Sequence, residues 1–398
     1  MSNNRTPSLS ILIFLAALSA VPVNMFTPSI PKIADELHAD FALISLTIAG
    51  FSAVSAIAGL VMGALSDRFG RRPIILVSLG IFAAASAGCS LTTNIWPFLI
   101  CRLVQGIIIV SYRVPLALLR DTSDERTTAS KIGYISTAWA IAPLIAPTIG
   151  GAMDELFGWR SIFTLFTALG VIGLMATYFF IPETNARRST SIAVQIRNYR
   201  DLVQSGRFWA YALCLSFSLG TFYGFLAGAP LVAEKLLGGS TVTLGLYMGV
   251  TPAGFILGSY LAGRCGPRFA PNSILIFARS LTSVSLFAGL ALYLCGVIHP
   301  VAFFGPCVFI GVGNGLTMPA ANAVILSIRP DLAGSASGLA GALASAGGAI
   351  VAFSAGLLIT NDNASIAVFG VMIASSALAL FFALAATVLD RRKGLLIQ

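Results

Sequence analysis

The sequence predicts an all-helical polytopic membrane protein, with twelve transmembrane helices in two six-helix bundles. Its mean hydropathy is +0.90, and only 10% of its 398 residues are charged, whereas a soluble domain carries about 25% charged residues. Such a chain cannot cover itself with polar surface, so most of its exterior must face lipid. Its apolar residues also fall into runs of about 20 residues, the length that crosses a bilayer core as a helix.

The apolar runs are continuous, which favours helices over the alternating segments of a β-barrel. In chain order we predict helices at 8–29, 43–65, 74–93, 96–118, 130–152, 160–181, 208–230, 243–263, 273–295, 301–327, 333–358 and 365–389. A cleaved signal peptide is the alternative for the first run, which follows Arg5. The run continues to Pro28, however, and a transport-type sequence follows it directly.

The basic residues predict the topology. With the N-terminus inside, three of the 24 Lys and Arg residues fall in outer connectors (Lys32, Arg160, Lys235) and three inside the membrane (Arg102, Arg113, Arg279). The other eighteen lie on the inner side, so the positive-inside rule places both termini in the cytoplasm. Because these charged residues lie at the ends of apolar runs, we expect the protein to contact a lipid bilayer, and we expect no nucleic-acid partner.

The longest polar connector divides the chain into an N-terminal six-helix bundle (1–181), a cytoplasmic linker (182–207) and a C-terminal six-helix bundle (208–398). The Arg-rich linker either lies along the anionic inner leaflet or is a solvated connection. The halves echo each other, because the Arg-x-Gly-x-Arg pattern at 68–72 recurs at 264–268 without the preceding acid. Such duplication is typical of transporters, with the substrate site between the halves.

Metal and cofactor chemistry have little support. The six cysteines form no Cys-x-x-Cys pair, and the two histidines, His38 and His299, lie in polar connectors. No disulfide framework, metal site or cofactor is expected. An enzyme is not expected either, since no intramembrane histidine, embedded carboxylate pair or Gly-x-Ser-x-Gly motif occurs.

The connector after the second helix carries the strongest motif, Gly63-Ala-Leu-Ser-Asp67-Arg68-Phe-Gly70-Arg71-Arg72. Gly63 allows close helix approach, and Gly70 allows a tight turn. Asp67 can accept charge-assisted hydrogen bonds across the cytoplasmic side, so that Gly63, Asp67, Arg68, Gly70 and Arg71 would form a conformational latch. An ordinary positive-inside loop would explain the arginines but not the Gly-x-x-x-Asp-x-x-Gly spacing.

This motif resembles the signature of the major facilitator superfamily. Two further motifs resemble that superfamily: Arg102-Leu-Val-Gln105-Gly106 in the fourth helix, and a fifth-helix motif containing Pro143, Pro147, Gly150 and Gly151. The resemblance implies a secondary transporter, with Arg102 and Gln105 as coupling candidates and the fifth-helix motif as an outer gate.

Physical arguments support these roles and leave an alternative to each. A membrane arginine costs roughly 2.5–3.5 kcal/mol by insertion scales, so Arg102 should face the bundle interior with a partner; the alternative is snorkelling to the outer interface. Two prolines and two glycines bend and thin the fifth helix. A purely structural kink is the alternative.

Finer similarity is to Bcr/CflA-type drug exporters. It rests on four segments: Gly158-Trp159-Arg160-Ser161-Ile162-Phe163, Pro182-Glu183-Thr184, Gly228-Ala229-Pro230 and Ala333-Gly334-Ser335-Ala336-Ser337-Gly338. The resemblance implies a monomeric exporter of small molecules in a bacterial inner membrane, with protons as the coupling ion. That branch carries an aspartate at the end of the first helix, whereas this chain has Asn24.

The predicted substrate cavity is therefore basic. None of the fifteen acids falls in a helix centre. Arg113 follows Arg102 by three helical turns on the same face and should point into the cavity, where it would attract anionic or strongly hydrogen-bonding neutral ligands. The alternative for Arg113 is pairing with helix C-terminal carbonyls, and Arg279 has the same two interpretations.

Four other residues complete the predicted cavity. Phe222 and Tyr223 would line an apolar pocket, with packing or lipid contact as the alternative. Asn314 and Asn322 are amides in a lipid environment and need partners. The nearby glycines at 311, 313 and 315 are a packing feature inside a helix.

The function expected from these features is export of small neutral or anionic compounds, including drugs. A carrier for a sugar, nucleoside or amino-acid-like metabolite is the alternative within transport. A polytopic membrane sensor is the alternative of another class.

Overall fold

The computed structural model describes residues 8–122, 125–183, 199–360 and 363–392. Within them, twelve helices are long and apolar enough to cross a membrane, which confirms the predicted fold class. The helices, numbered one to twelve in chain order, are Leu9–Asn24, Phe41–Phe69, Arg71–Leu91, Ile95–Thr122 with a 3-10 turn at Gly106–Ile109, Glu125–Phe157, Arg160–Phe180, Gly206–Leu237, Thr241–Met248 continued after Gly249 by Val250–Cys265, Pro271–Leu294, Pro300–Ile328, Ala333–Leu358 and Ala364–Arg392. "Inner" and "outer" denote the sides predicted from the basic residues.

Most helices extend a few residues beyond the predicted bounds. Helix five runs through Phe157 rather than stopping at residue 152. Helix one ends at Asn24, but a 3-10 turn at Thr27–Ser29 and a short helix at Ile30–Glu36 continue it outward. Proline at positions 28 and 31 removes backbone donors there, which explains the irregular geometry. Hydropathy marks only the apolar centre of each helix, so polar end turns escape it.

Helix packing repeats with a period of six helices. Helix one packs on five as seven packs on eleven; three packs on six as nine packs on twelve; and two packs on four as eight packs on ten. The two bundles meet through helices two and eleven, and through five and eight. The duplication inferred from the Arg-x-Gly-x-Arg repeat thus extends to the packing of the helices.

A buried polar cluster joins three helices at the inner end of the C-terminal bundle. Asp390 of helix twelve pairs with Arg207 at 2.6 Å, at the beginning of helix seven. The Asp390 carboxylate also accepts hydrogen bonds from the Tyr211 hydroxyl at 2.7 Å and from the Asn272 amide at 2.9 Å. Asp390 therefore fixes helices seven, nine and twelve to one another and is used structurally.

Candidate functional site

Arg102 lies wholly inside the N-terminal bundle, in the outer half of helix four. Its side chain has 0% exposure. Its guanidinium donates to the amide oxygen of Gln105, and to the Pro22 carbonyl of helix one at 3.3 Å. The charge also lies 3.8 Å from the ring centroid of Phe26. Gln105 in turn donates to Ser86 of helix three at 2.8 Å. Arg102 thus joins helix four to the region where helix one is interrupted.

Arg279 occupies a comparable place in the C-terminal bundle. It also has 0% exposure, and its Nη1 donates to the amide oxygen of Asn314 at 3.1 Å. Among the described residues, neither Arg279 nor Arg102 has a carboxylate partner. Each bundle therefore holds one buried arginine whose side-chain hydrogen-bond partner is an amide.

Arg113 lies between the bundles rather than inside one. A Cβ on Gly59 of helix two would lie 2.6 Å from its Cζ and Nη1, and a Cβ on Gly341 of helix eleven would lie 3.1 Å from its Nη2. The two glycines, one from each bundle, therefore make the slot that holds the guanidinium. No described carboxylate pairs with Arg113.

Of the two aromatic cavity candidates, Tyr223 lies where helices two, seven and eleven meet. Its ring packs against Gly348, where a Cβ would lie 2.7 Å from Cδ2. Its hydroxyl interacts with the Ser52 hydroxyl of helix two. The Phe222 ring meets the Tyr223 ring edge-on at a centroid distance of 5.9 Å. Tyr223 therefore contributes to contact between the bundles.

The candidate amides occupy three different settings. Asn24 is buried, and its Nδ2 donates to the Ala20 carbonyl of its own helix at 2.8 Å. Asn314 is held by Arg279 and by Ser218 of helix seven, at 2.6 Å. Asn322 is half-buried in the inner half of helix ten. The side-chain amide of Asn24 therefore has its hydrogen-bond acceptor within helix one.

The fifth-helix motif lies against helices one and eight. A Cβ on Gly150 would lie 1.8 Å from the Met25 carbonyl oxygen, and one on Gly151 would lie 2.2 Å from the Thr241 carbonyl oxygen. From the other side, a Cβ on Gly245 would lie 2.4 Å from the Pro147 carbonyl oxygen. The backbone of helix five meets those of helices one and eight here, with no room for side chains. We call this contact of helices five and eight the outer seam.

Glu155 also belongs to the outer seam, although none of the sequence motifs includes it. Its Oε1 accepts hydrogen bonds from the Ser240 hydroxyl at 3.0 Å and from the Val242 amide at 3.1 Å. The Thr241 hydroxyl donates to the Gly151 carbonyl at 3.0 Å. Glu155 thus caps the first turn of helix eight from the opposite bundle. The sequence signal for this role is the spacing of four residues between Glu155 and Gly151.

The signature loop after helix two is held within its own bundle. Gly70 has a φ of 107°, a backbone conformation that glycine adopts without strain. The amides of Arg71 and Arg72 donate to the Glu183 carboxylate at 3.0 and 3.2 Å. Arg71 also donates to Ser66 at 3.1 Å.

Glu183 belongs to the Pro182-Glu183-Thr184 segment of the resemblance, and no local sequence pattern predicts its contact with helix three. Arg68 is exposed. The surroundings of Gly63 and the side chain of Asp67 lie outside what the structure describes, so the latch prediction stays a prediction.

The chain matches known transporters over most of its length. Residues 12–352 match the profile of the Major Facilitator Superfamily. An uncharacterized MFS-type transporter, YdgK, of Bacillus subtilis (strain 168) is 28% identical over 85% of each chain. A bicyclomycin resistance protein homolog of Haemophilus influenzae is 28% identical over 88% of this chain and 89% of its own. The multidrug resistance protein MdtL of Citrobacter koseri is 28% identical over 82% of this chain and 83% of its own.

Solved structures share the architecture. A D-xylose-proton symporter superposes with a TM-score of 0.76 at 14% identity, covering 94% of this chain and 96% of its own. A bacterial homolog of the lysosomal transporter Spinster gives 0.73 at 17% identity, covering 95% and 96%. At these identities the likeness concerns the fold alone. With twelve spans, the repeated six-helix packing and the profile match, the chain belongs to the Major Facilitator Superfamily and is a secondary transporter, not an enzyme.

Proposed function

We propose that the protein exports small neutral or anionic compounds, drugs among them, by alternating access. One observation carries the proposal: Arg102, Arg113 and Arg279 lie inside or between the bundles, whereas every acid of the described transmembrane helices lies near a helix end. The proposal includes a bacterial inner membrane and a monomer. It also includes cytoplasmic termini, which the charge bias of the connectors supports.

A positive cavity would discriminate by charge. At an effective dielectric constant of about 20, like unit charges about 8 Å apart repel by about 2 kcal/mol, which is roughly thirtyfold in affinity. Arg113 is the group best placed to act on a ligand, because it is only partly buried and lies between the bundles. Its guanidinium would bind a carboxylate or a neutral acceptor and repel a lipophilic cation.

The names of relatives support drug-like cargo. The Haemophilus influenzae relative is named for bicyclomycin resistance and the Citrobacter koseri relative for multidrug resistance. Bicyclomycin is uncharged and rich in hydroxyl groups, so it suits a cavity that offers arginine and amide donors. We extend this substrate class to the present chain.

The outer seam would be the gate of the transport cycle. Gly150 and Gly151 permit backbone contact with helices one and eight, and Pro143 and Pro147 lie within helix five where it approaches helix eight. Release of substrate to the outside requires the contacts between helices five and eight to separate. In the structure the contacts between helices five and eight are closed.

Protons are the proposed coupling ion, but helix one cannot carry them at position 24, because an amide does not titrate. Arg102 stays protonated, so it cannot shuttle a proton either. Its chain of contacts through Gln105 to Ser86, and directly to Pro22, suits a different role. It would hold helices one, three and four in register as the bundle moves.

The test is drug susceptibility in a bacterial strain that lacks its own exporters. Wild-type protein should raise the inhibitory concentration of bicyclomycin and leave that of ethidium, a lipophilic cation, unchanged. Arg113→Gln at matched expression should lose about tenfold in transport efficiency, the value of one charge-assisted hydrogen bond.

Robust proton-driven ethidium efflux by the wild type would contradict the charge preference and would indicate that Asp35 or Glu36 serves the cavity. Resistance to none of the compounds would favour the metabolite carrier. A ligand response without flux in proteoliposomes would favour the sensor.

A further inference from the structure

Three side chains from three helices meet inside the C-terminal bundle. Asn314 of helix ten accepts two hydrogen bonds on its amide oxygen, from Arg279 of helix nine at 3.1 Å and from Ser218 of helix seven at 2.6 Å. Arg279 and Ser218 are buried, with exposures of 0% and 1%. The signature motifs include none of the three, and the sequence left the role of Arg279 open.

The chemistry of arginine fixes the orientation of the Asn314 amide. A guanidinium has five donors and no acceptor, so only the carbonyl oxygen of Asn314 can face it. The inverted amide would put an NH2 group against a buried cation, with an unmade hydrogen bond on both sides. Nδ2 of Asn314 therefore points away from Arg279. A free asparagine can offer either group to a ligand, and Arg279 removes that choice.

The Asn314 side chain lies on the face of helix ten towards helix seven, where Ser218 donates to its Oδ1. Gly311 and Gly315 face helix eight, where added Cβ atoms would lie 1.8 and 2.4 Å from backbone oxygens. Gly313 faces helix nine, where a Cβ would lie 2.5 Å from Nη2 of Arg279. Asn314 follows Gly313 in the chain and lies on a different face of helix ten, with 5% of the residue exposed. No described residue accepts a hydrogen bond from its Nδ2.

We infer that Arg279 is a positioning residue of the ligand site, which orients Asn314 so that its Nδ2 donates to an acceptor group of the transported compound. The ligand chemistry at this point is a carbonyl, hydroxyl or carboxylate oxygen. This inference rests on the proposed function for the identity of the ligand. An amide donor in a membrane protein needs a partner, and here that partner is water or the ligand.

The first test needs no knowledge of the substrate. Asn314→Cys is placed in the full-length protein, and thiol labelling is followed by peptide mass spectrometry with an anionic and a cationic methanethiosulfonate reagent. Native Cys295 is exposed and serves as the reference in the same molecule. The introduced thiol should react, with an anion-to-cation rate ratio about tenfold above that of Cys295, because Arg279 lies directly behind it.

Variants that change the charge at position 279 then show whether Arg279 causes the difference in labelling rates. Arg279→Gln in the Asn314→Cys background should lower the ratio to that of Cys295, and Arg279→Lys should keep it. No labelling by either reagent while Cys295 reacts would overturn the accessible position of Asn314, even if the charge variants fail to fold. An unchanged ratio in a folded Arg279→Gln variant would overturn the role of Arg279.

The second test concerns the donor. Asn314→Asp can only accept hydrogen bonds when ionised, so it should raise the KM for bicyclomycin transport more than it lowers kcat. Arg279→Lys, which also only donates, should retain transport in otherwise wild-type protein, whereas Arg279→Gln should not. Equal transport by Asn314→Asp would contradict the donor role. If the wild type ignores bicyclomycin but the labelling results hold, the proposed cargo is wrong and the orientation of Asn314 stands.

Discussion

The Glu155 carboxylate, at the outer end of helix five, accepts a hydrogen bond at 3.1 Å from the backbone amide of Val242 in the first turn of helix eight. The two residues belong to different bundles. Helix N-termini have unpaired amides that favour a negative partner, and here the partner comes from the other half of the molecule. The cap therefore exists only while the outer seam is closed, which makes Glu155 a group that stabilises one state of the transport cycle.

Glu155→Gln should shift the protein towards the outward-open state. The amide still accepts but carries no charge, so about 1 kcal/mol of the cap is lost, or roughly a fivefold population change. Leu244, buried at the outer seam, is the reporter position. Leu244→Cys in the Glu155→Gln variant should react about fivefold faster with a membrane-impermeant maleimide added outside.

Glu234→Gln is the matched control for this measurement. Glu234 is an exposed acid at the outer end of helix seven that lines the same outer pocket as Ser240 and Leu244. Removing its charge should leave the labelling rate unchanged. Equal acceleration by both variants would mean that surface charge, not the cap, controls the reporter.

Gly151→Ala should prevent closure of the outer seam. The added methyl would lie 2.2 Å from the Thr241 carbonyl oxygen, and a backbone cannot move aside without separating the helices. Overpacking of this kind costs about 1–3 kcal/mol. That cost falls on the closed state alone, so transport should drop steeply while the reporter at position 244 becomes reactive.

Gly133→Ala on the same helix has open space around the new methyl group and should transport normally. Normal transport by Gly151→Ala would show that the close approach is not required for the cycle.

The helices could be predicted because hydropathy is a local property of the sequence. The contacts of the site could not, because they join residues that are far apart in the chain. The centres of all twelve helices follow from apolar runs of bilayer length. The roles of Glu155 and Glu183 depend on partners 87 and 112 residues away in the chain, which no local pattern specifies. Arg102 and Arg113 lie on one face of helix four by spacing, yet the interruption at Gly106–Ile109 separates their surroundings. One enters the bundle interior and the other lies between the bundles.

Asn24→Asp should test whether the missing acid explains the predicted charge preference. The wild-type amide donates to the Ala20 carbonyl at 2.8 Å, a bond that an ionised carboxylate cannot make. The new acid would therefore take up a proton to stay buried or turn towards the space between the bundles, and in either form it titrates. Ethidium efflux should appear in the variant and be absent from the wild type at matched expression. Equal ethidium efflux by the variant and the wild type would mean that position 24 does not determine the charge selectivity.

Gly59→Ala should separate the function of Arg113 from the stability of the fold. The added methyl would lie 2.6 Å from Cζ and Nη1 of Arg113, but these atoms end a flexible side chain, so the guanidinium can move while the helices stay. Alanine also favours a helix over glycine by about 1 kcal/mol, so the thermal unfolding temperature should be unchanged or slightly higher.

Bicyclomycin resistance should nevertheless fall, because the guanidinium leaves the slot between Gly59 and Gly341. Gly334→Ala, on helix eleven with nothing near its new methyl, is the control and should keep resistance. Full resistance in a stable Gly59→Ala variant would mean that the position of Arg113 does not matter for the substrate. A loss of resistance together with a lower unfolding temperature would mean instead that the slot is structural, since a displaced side chain alone does not destabilise helix packing.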